Sequence, residues 1–149
     1  MRRQHDFTPS SSASAIERFE RSSVLRMPED MRLFYQAFDG VRLFGAEYVL
    51  LDPDAFLPFE VAVRATTGRA LNLNPSWVWF CRTRAGYHVG IDLRRRPFRS
   101  YRVSAYACIE GASPRLRPVA RGFTEFLTRA MQASDHPFWC TDDRGVGHR

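Results

Sequence analysis

The segment with the clearest chemical potential is an arginine-rich turn at residues 94–99. Guanidinium groups bind carboxylates and phosphates through paired hydrogen bonds, and an exposed aromatic ring among them offers apolar surface that a partner can bury. The turn therefore predicts a docking site for an acidic protein surface or for phosphates. The alternative, which the sequence favours about equally, is a solvated hairpin turn in an arginine-biased chain. The predicted contact residues are Arg94, Arg95, Arg96, Phe98 and Arg99.

The positive charge of the chain is concentrated around this turn. The net charge is +6 and all 22 basic residues are arginine. This indicates a compositional bias and weakens the argument that any single arginine was selected for function. Residues 82–121 nevertheless hold ten arginines against two acids, whereas the flanking segments are nearly balanced. Such a segment attracts acidic partners. Nucleic acid is the less favoured partner, because no helix-turn-helix, RNP or zinc-finger pattern accompanies the charge.

No local motif for catalysis accompanies these arginines. The sequence has no GxSxG elbow, phosphate-binding glycine loop or dinucleotide fingerprint. His88 and Asp92 lie four residues apart on a predicted strand, which is too far for a hydrogen bond, and we interpret them as polar residues on a solvent face. Residues 136–148 contain histidine, cysteine and aspartate in a spacing that matches no structural zinc site. We therefore expect a protein without catalytic residues, metal or cofactor.

Length and composition predict one globular domain in the cytoplasm. The chain has 149 residues, the size of a single domain, and 13% aromatic residues oppose disorder. The longest apolar runs, such as residues 48–51, are too short to cross a membrane. The first 14 residues lack the apolar stretch of a secretory signal. Three widely spaced cysteines without a CxxC motif suit a reducing compartment.

Helical patterns lie near both ends of the chain. Ser14 and Glu17 form a capping box that starts a helix to about residue 24. Pro28 opens a second helix, for which Gly40 is predicted to supply a left-handed C-terminal cap. A third helix is predicted over 59–67 from a few apolar residues that share a face. A last helix is predicted from Phe123 to about residue 132.

Strand patterns occupy the middle of the chain, at about 47–51, 77–82, 87–93 and 101–109. Residues 87–93 alternate apolar and polar side chains, which predicts one buried and one solvated face. Residues 77–80 are apolar on both faces, so that strand is predicted to be covered on both sides. The element order predicts a single-domain α+β fold whose central antiparallel sheet is flanked by N-terminal and C-terminal helices. The predicted boundaries are a flexible tail at 1–13, a domain at 14–133 and a tail at 134–149.

Three segments in order resemble the SUKH superfamily, which comprises bacterial immunity proteins related to fungal cell-wall-synthesis regulators. The first is Met27 to Tyr35 followed by Phe38-Asp39-Gly40. The second is Trp77-Val78-Trp79-Phe80, a turn at Gly86, and the strand Tyr87 to Leu93. The third is Gly122-Phe123-Thr124-Glu125-Phe126-Leu127. The resemblance extends over about residues 15–132.

The resemblance implies an α+β fold, no catalytic residues, and a function in binding and neutralising a cognate bacterial toxin. Inhibitors of nucleases tend to be acidic, so the basicity of this chain predicts a toxin with an acidic contact face, or one that is not a nuclease. Two alternatives remain open. One is a regulatory or scaffold module of the same fold that binds a cellular protein, and the other is a basic nucleic-acid-binding domain.

Overall fold

One antiparallel sheet organises the structure. A computed structural model describes residues 5–9, 14–44, 47–94, 101–107, 116–132 and 137–140. Within these residues the sheet has eight strands. Seven follow the order β1-β2-β3-β5-β6-β7-β8, and the short β4 also pairs with β5. The strands are β1 (His5–Pro9), β2 (Phe38–Leu43), β3 (Tyr48–Leu50), β4 (Leu57–Pro58), β5 (Trp77–Thr83), β6 (His88–Asp92), β7 (Val103–Tyr106) and β8 (Arg117–Ala120).

Helices cover both faces of the sheet centre. The helices are α1 (Ser14–Ser23), α2 (Glu29–Ala37), α3 (Phe59–Thr67) and α4 (Phe123–Gln132), and a 3-10 turn spans Pro53–Ala55. Apolar residues of α1, α2 and α4 join the main core on one face. Helix α3 packs on the opposite face over β5 and β6. This arrangement confirms the predicted α+β fold and the predicted burial of both faces at the start of β5.

Aromatic side chains fill the main core. The ring of Phe126 lies 5.3 Å from that of Phe80 and 6.3 Å from that of Trp139. The backbone N–H of Phe138 donates to the Tyr48 hydroxyl at 2.8 Å, and Trp139 is 1% exposed. The sequence predicted a C-terminal tail at 134–149 with Phe138 and Trp139 as candidate residues to pin it, and residues 137–140 do pack on the core. Two large aromatic rings are the physical reason, because their burial contributes stability.

The expected flexible segment at 1–13 is wrong for residues 5–9, which form the edge strand β1. The Phe7 ring packs 5.1 Å from that of Phe38, and His5 Nδ1 accepts a hydrogen bond from the Phe44 N–H at 3.1 Å. Pairing with β2 continues through Thr8 opposite Gly40. A five-residue polar strand with one aromatic has too little periodicity to be recognised without its partner strand.

The interpretation of Gly40 as a helix cap is also wrong. Helix α2 ends at Ala37, Phe38 already has extended backbone angles, and Gly40 lies inside β2 without a positive φ. A Cβ atom at Gly40 would lie 3.2 Å from the carbonyl oxygen of Leu50 on β3. Close approach of the neighbouring strand, rather than a left-handed turn, is what favours glycine there.

The alternating pattern of β6 predicted that its polar side faces solvent, and this prediction is wrong. All five residues of β6 are buried, including His88 and Asp92, which the sequence assigned to solvent. Helix α3 covers this face, and Phe59 packs directly over Gly90. The last strand, β8, contains Pro118, which is accommodated at the sheet edge.

Candidate partner-binding groove

Arg94 is the one predicted contact residue that lies within the described residues. Arg95, Arg96, Phe98 and Arg99 lie outside them, so the predicted cluster as a whole is untested. Arg94 lies two residues beyond Asp92, the last residue of β6, and bonds to it. Its backbone N–H donates to Asp92 Oδ1 at 3.0 Å, and its guanidinium donates to Asp92 Oδ2 at 2.8 Å.

Asp92 is the buried anchor of this contact. Its side chain is 0% exposed, while that of Arg94 is 49% exposed. The Ser76 hydroxyl donates a second short hydrogen bond to Asp92 Oδ1. Burial alone would raise the pKa of Asp92, but the hydrogen bonds from Ser76 and Arg94 outweigh it and hold that pKa below its usual value. Arg94 therefore neutralises a buried carboxylate and presents the rest of its side chain to solvent.

A groove of about 810 Å³ opens beside Arg94. The segment joining α1 to α2 forms one wall, and the ends of β6 and β7 form the other. We call it the arginine groove, and its lining residues are Val24, Leu25, Arg26, Met27, Pro28, Glu29, Ser76, Leu93, Arg94 and Tyr101. The chain leaves the groove at Arg94 and returns to it at Tyr101. Arg94 and Tyr101, the residues on either side of 95–100, both line the groove, and that segment of the sequence carries three more arginines.

The wall formed by residues 24–28 is fixed by a single carboxylate. Glu20 accepts hydrogen bonds from the Met27 N–H at 2.7 Å and from the Arg32 guanidinium. Burial would raise the pKa of Glu20, but these two hydrogen bonds lower it, so the carboxylate stays ionised. Among the described residues that line the groove, Glu29 is the one acid, and it lies on the same wall as the exposed Arg26.

Val24 has an unusual backbone at the mouth of the groove. Its φ is +59° and its side chain is 87% exposed. Its N–H donates to the carbonyl of Glu20 at 3.1 Å, so Val24 occupies the left-handed position that ends α1. A β-branched residue there costs roughly 1–2 kcal/mol relative to glycine. A left-handed residue at the end of a helix is normally predicted from glycine or asparagine, so the valine at position 24 did not indicate one.

His88, the other candidate for chemistry, is engaged in packing α3. Thr66 Oγ1 donates to the carbonyl of Ala62 and lies 3.1 Å from His88 Nε2, so the imidazole is placed to donate to it. Burial lowers the pKa of His88, which favours the neutral ring. Its ring also lies 5.7 Å from that of Trp79. The arrangement links β5, β6 and α3.

A second concavity of about 490 Å³ lies on the part of the sheet formed by β1, β2 and β3. Exposed Asp6 and Arg42 face each other across this surface, so its charge is mixed. The arginine groove is the better candidate for an acidic partner, because Arg26 and Arg94 both line it and are exposed.

Within the described ranges, no three His, Cys, Asp or Glu side chains come together as a metal site would require. Of the tail residues considered as metal ligands, only Cys140 belongs to this part of the chain. The helices in the same ranges are all too short or too polar to traverse a lipid bilayer.

Comparison with known proteins adds the following. The model of a family described as SMI1 / KNR4 (SUKH-1) matches residues 11–129. No curated protein gives a match. The family match contains both walls of the arginine groove, all of α1 to α3 and α4 as far as residue 129, and it begins after β1.

Proposed function

Because this chain belongs to the SMI1 / KNR4 (SUKH-1) family, we propose that it is an immunity protein that binds and neutralises a cognate bacterial toxin. The family fits an immunity-type role in general, and the absence of local catalytic motifs agrees with a binding function. The proposal places this interaction in the cytoplasm of the producing cell, as the cysteine pattern predicts.

The arginine groove is the observation that carries this proposal. It is concave, exposes Arg26 and Arg94, and holds both ends of a segment with three more arginines. A toxin with an acidic contact face would be steered to it by charge. Neutralisation then requires an interface of about 1,600 Å² that covers the active site of the toxin or holds it inactive. In this proposal Phe98 adds an aromatic contact to the interface.

The test is co-expression with the reading frame adjacent to the gene. We expect that frame to be toxic alone and harmless together with the wild-type protein. The triple variant Arg95→Glu, Arg96→Glu, Arg99→Glu should lose protection, because it places acids against an acidic face. Arg94 is left unchanged in this variant because it also neutralises Asp92.

Arg82→Glu is the matched control for this experiment. Arg82 is an exposed arginine near the end of β5, away from the groove, and its reversal should leave protection intact. A neighbouring frame that is harmless alone would contradict the toxin assignment. It would favour the regulatory or scaffold module of the same fold.

A further inference from the structure

A smaller depression of about 290 Å³ lies next to the arginine groove. Its floor contains Phe19 and Phe56, whose rings meet edge to face at 5.3 Å. Its rim contains Leu25, Leu57, Pro58 and Pro75. We call it the apolar pocket. Leu25 lines both cavities, so the turn at Val24 and Leu25 separates the pocket from the groove.

Large apolar side chains are exposed on the turn at Val24 and on the rim of the apolar pocket. Val24 is 87% exposed and Leu57 is 41% exposed. Val24 also keeps an unfavourable left-handed backbone that glycine would adopt freely. Exposure and strain together indicate that the side chain of Val24 adds little stability to the isolated fold. Strained residues of this kind concentrate where a protein binds something.

We propose that Val24 and the apolar pocket form the hydrophobic anchor of the toxin interface, with the arginine groove as its charged rim. This inference rests on the proposed function. The partner segment would place one aliphatic or aromatic side chain in the pocket, against Phe19 and Phe56. Carboxylates flanking that side chain would pair with Arg26 and Arg94. Tight interfaces combine these two parts, an apolar centre that excludes water and a charged surround.

The experiment measures binding and thermal stability on the same variants. The probe is the purified, catalytically inactivated product of the adjacent reading frame, titrated calorimetrically into the full-length protein. Val24→Gly should weaken Kd about ten-fold while Tm stays equal or rises, because glycine relieves the backbone strain. Leu57→Asp should weaken Kd at least as much, since it puts a like charge beside the carboxylates of the partner.

Val61→Ser is the matched control. Val61 is 49% exposed on α3 and lines neither cavity, so Kd should not change. If both Val24→Gly and Leu57→Asp bind the probe with the wild-type Kd, the anchor is overturned and the proposed function still stands. A Tm that falls on Val24→Gly would overturn the strain argument that selects Val24. A wild-type protein that does not bind the probe would overturn the proposed function and the anchor with it.

Discussion

The ring of Phe59 lies so close to Gly90 that a methyl group added to the glycine would come within 2.7 Å of two ring carbons. Phe59 is fully buried and stacks on Trp77 at 6.2 Å. Through this contact α3 packs on β6, which explains why the side of β6 that carries His88 and Asp92 is buried. In the sequence Gly90 alternates with the polar residues His88 and Asp92, which is typical of a solvated face. In the structure the missing side chain of Gly90 leaves room for Phe59 of α3.

Gly90→Ala is therefore expected to destabilise the fold by about 1–3 kcal/mol, because the ring or the strand must move. Urea denaturation followed by tryptophan fluorescence measures this loss. The same substitution in a Phe59→Leu background should cost less, since the smaller side chain leaves space. Equal costs in the two backgrounds would show that the ring is not the obstacle.

The buried carboxylate of Asp92 should make stability depend on pH. Its pKa is lowered in the folded state, so its charge contributes stability above the pKa of the unfolded chain, near 3.9. That contribution is lost as pH falls through the lower folded-state pKa. Asp92→Asn should reduce the free energy of unfolding at pH 7 and flatten its decline in acid, as measured by denaturation at several pH values.

Asp54→Asn is the comparison for Asp92. Asp54 also has a lowered pKa, through a hydrogen bond from Arg18, but both side chains of that pair are about half exposed. Solvent screening makes such a pair weak, so its removal should change stability much less. An equal effect at both positions would contradict the importance of burial at Asp92.

Arg94 is expected to contribute to stability as well as to binding. Arg94→Ala removes the guanidinium bond to Asp92 and should cost about 1–2 kcal/mol, discounted for the exposed half of the arginine. Chemical denaturation of the single and double variants tests this origin. Arg94→Ala should cost little in an Asp92→Asn background, and a full cost there would assign the loss to another contact. Binding defects of Arg94 variants therefore need a stability measurement beside them.

Asp30 connects the beginnings of two helices that lie far apart in the chain. Its Oδ2 accepts hydrogen bonds from the N–H and the hydroxyl of Thr124, at 3.0 and 2.7 Å, in the first turn of α4. Asp30→Ala should destabilise the protein by about 1 kcal/mol, the usual cost of a lost helix cap, measured as a lower denaturation midpoint. Glu29→Ala, an acid in the same turn of α2, should have a smaller effect. A larger loss of stability from Glu29→Ala than from Asp30→Ala would refute the cross-helix cap.

Local periodicity was enough to predict α3 and α4, whose observed bounds, Phe59–Thr67 and Phe123–Gln132, match the prediction. It failed where pairing decides the structure. The edge strands β1 and β8 are short, and each contains a proline, so nothing in their sequence indicates a strand until the neighbouring strand is known.

The candidate site was predicted only in part. Clustered charge in the sequence pointed to Arg94, which lines the groove, whereas the other predicted contact residues lie outside the described residues and stay a prediction. The bond from Arg94 to Asp92 could not be predicted, because the pattern of β6 assigned Asp92 to solvent. Val24 could not be predicted either, since its left-handed backbone depends on how α1 and α2 are joined rather than on its residue type.

Strand β1 precedes the segment that the family model covers, and it hydrogen-bonds along the outer side of β2. A variant that begins at residue 11 would leave the outer N–H and carbonyl groups of β2 unpaired. An uncovered edge of this kind templates pairing with a second chain. Residues 5–9 thus replace the six-residue edge of β2 by a shorter edge that contains Pro9, and we expect a variant cut at the family boundary to associate edge to edge more readily than the full chain.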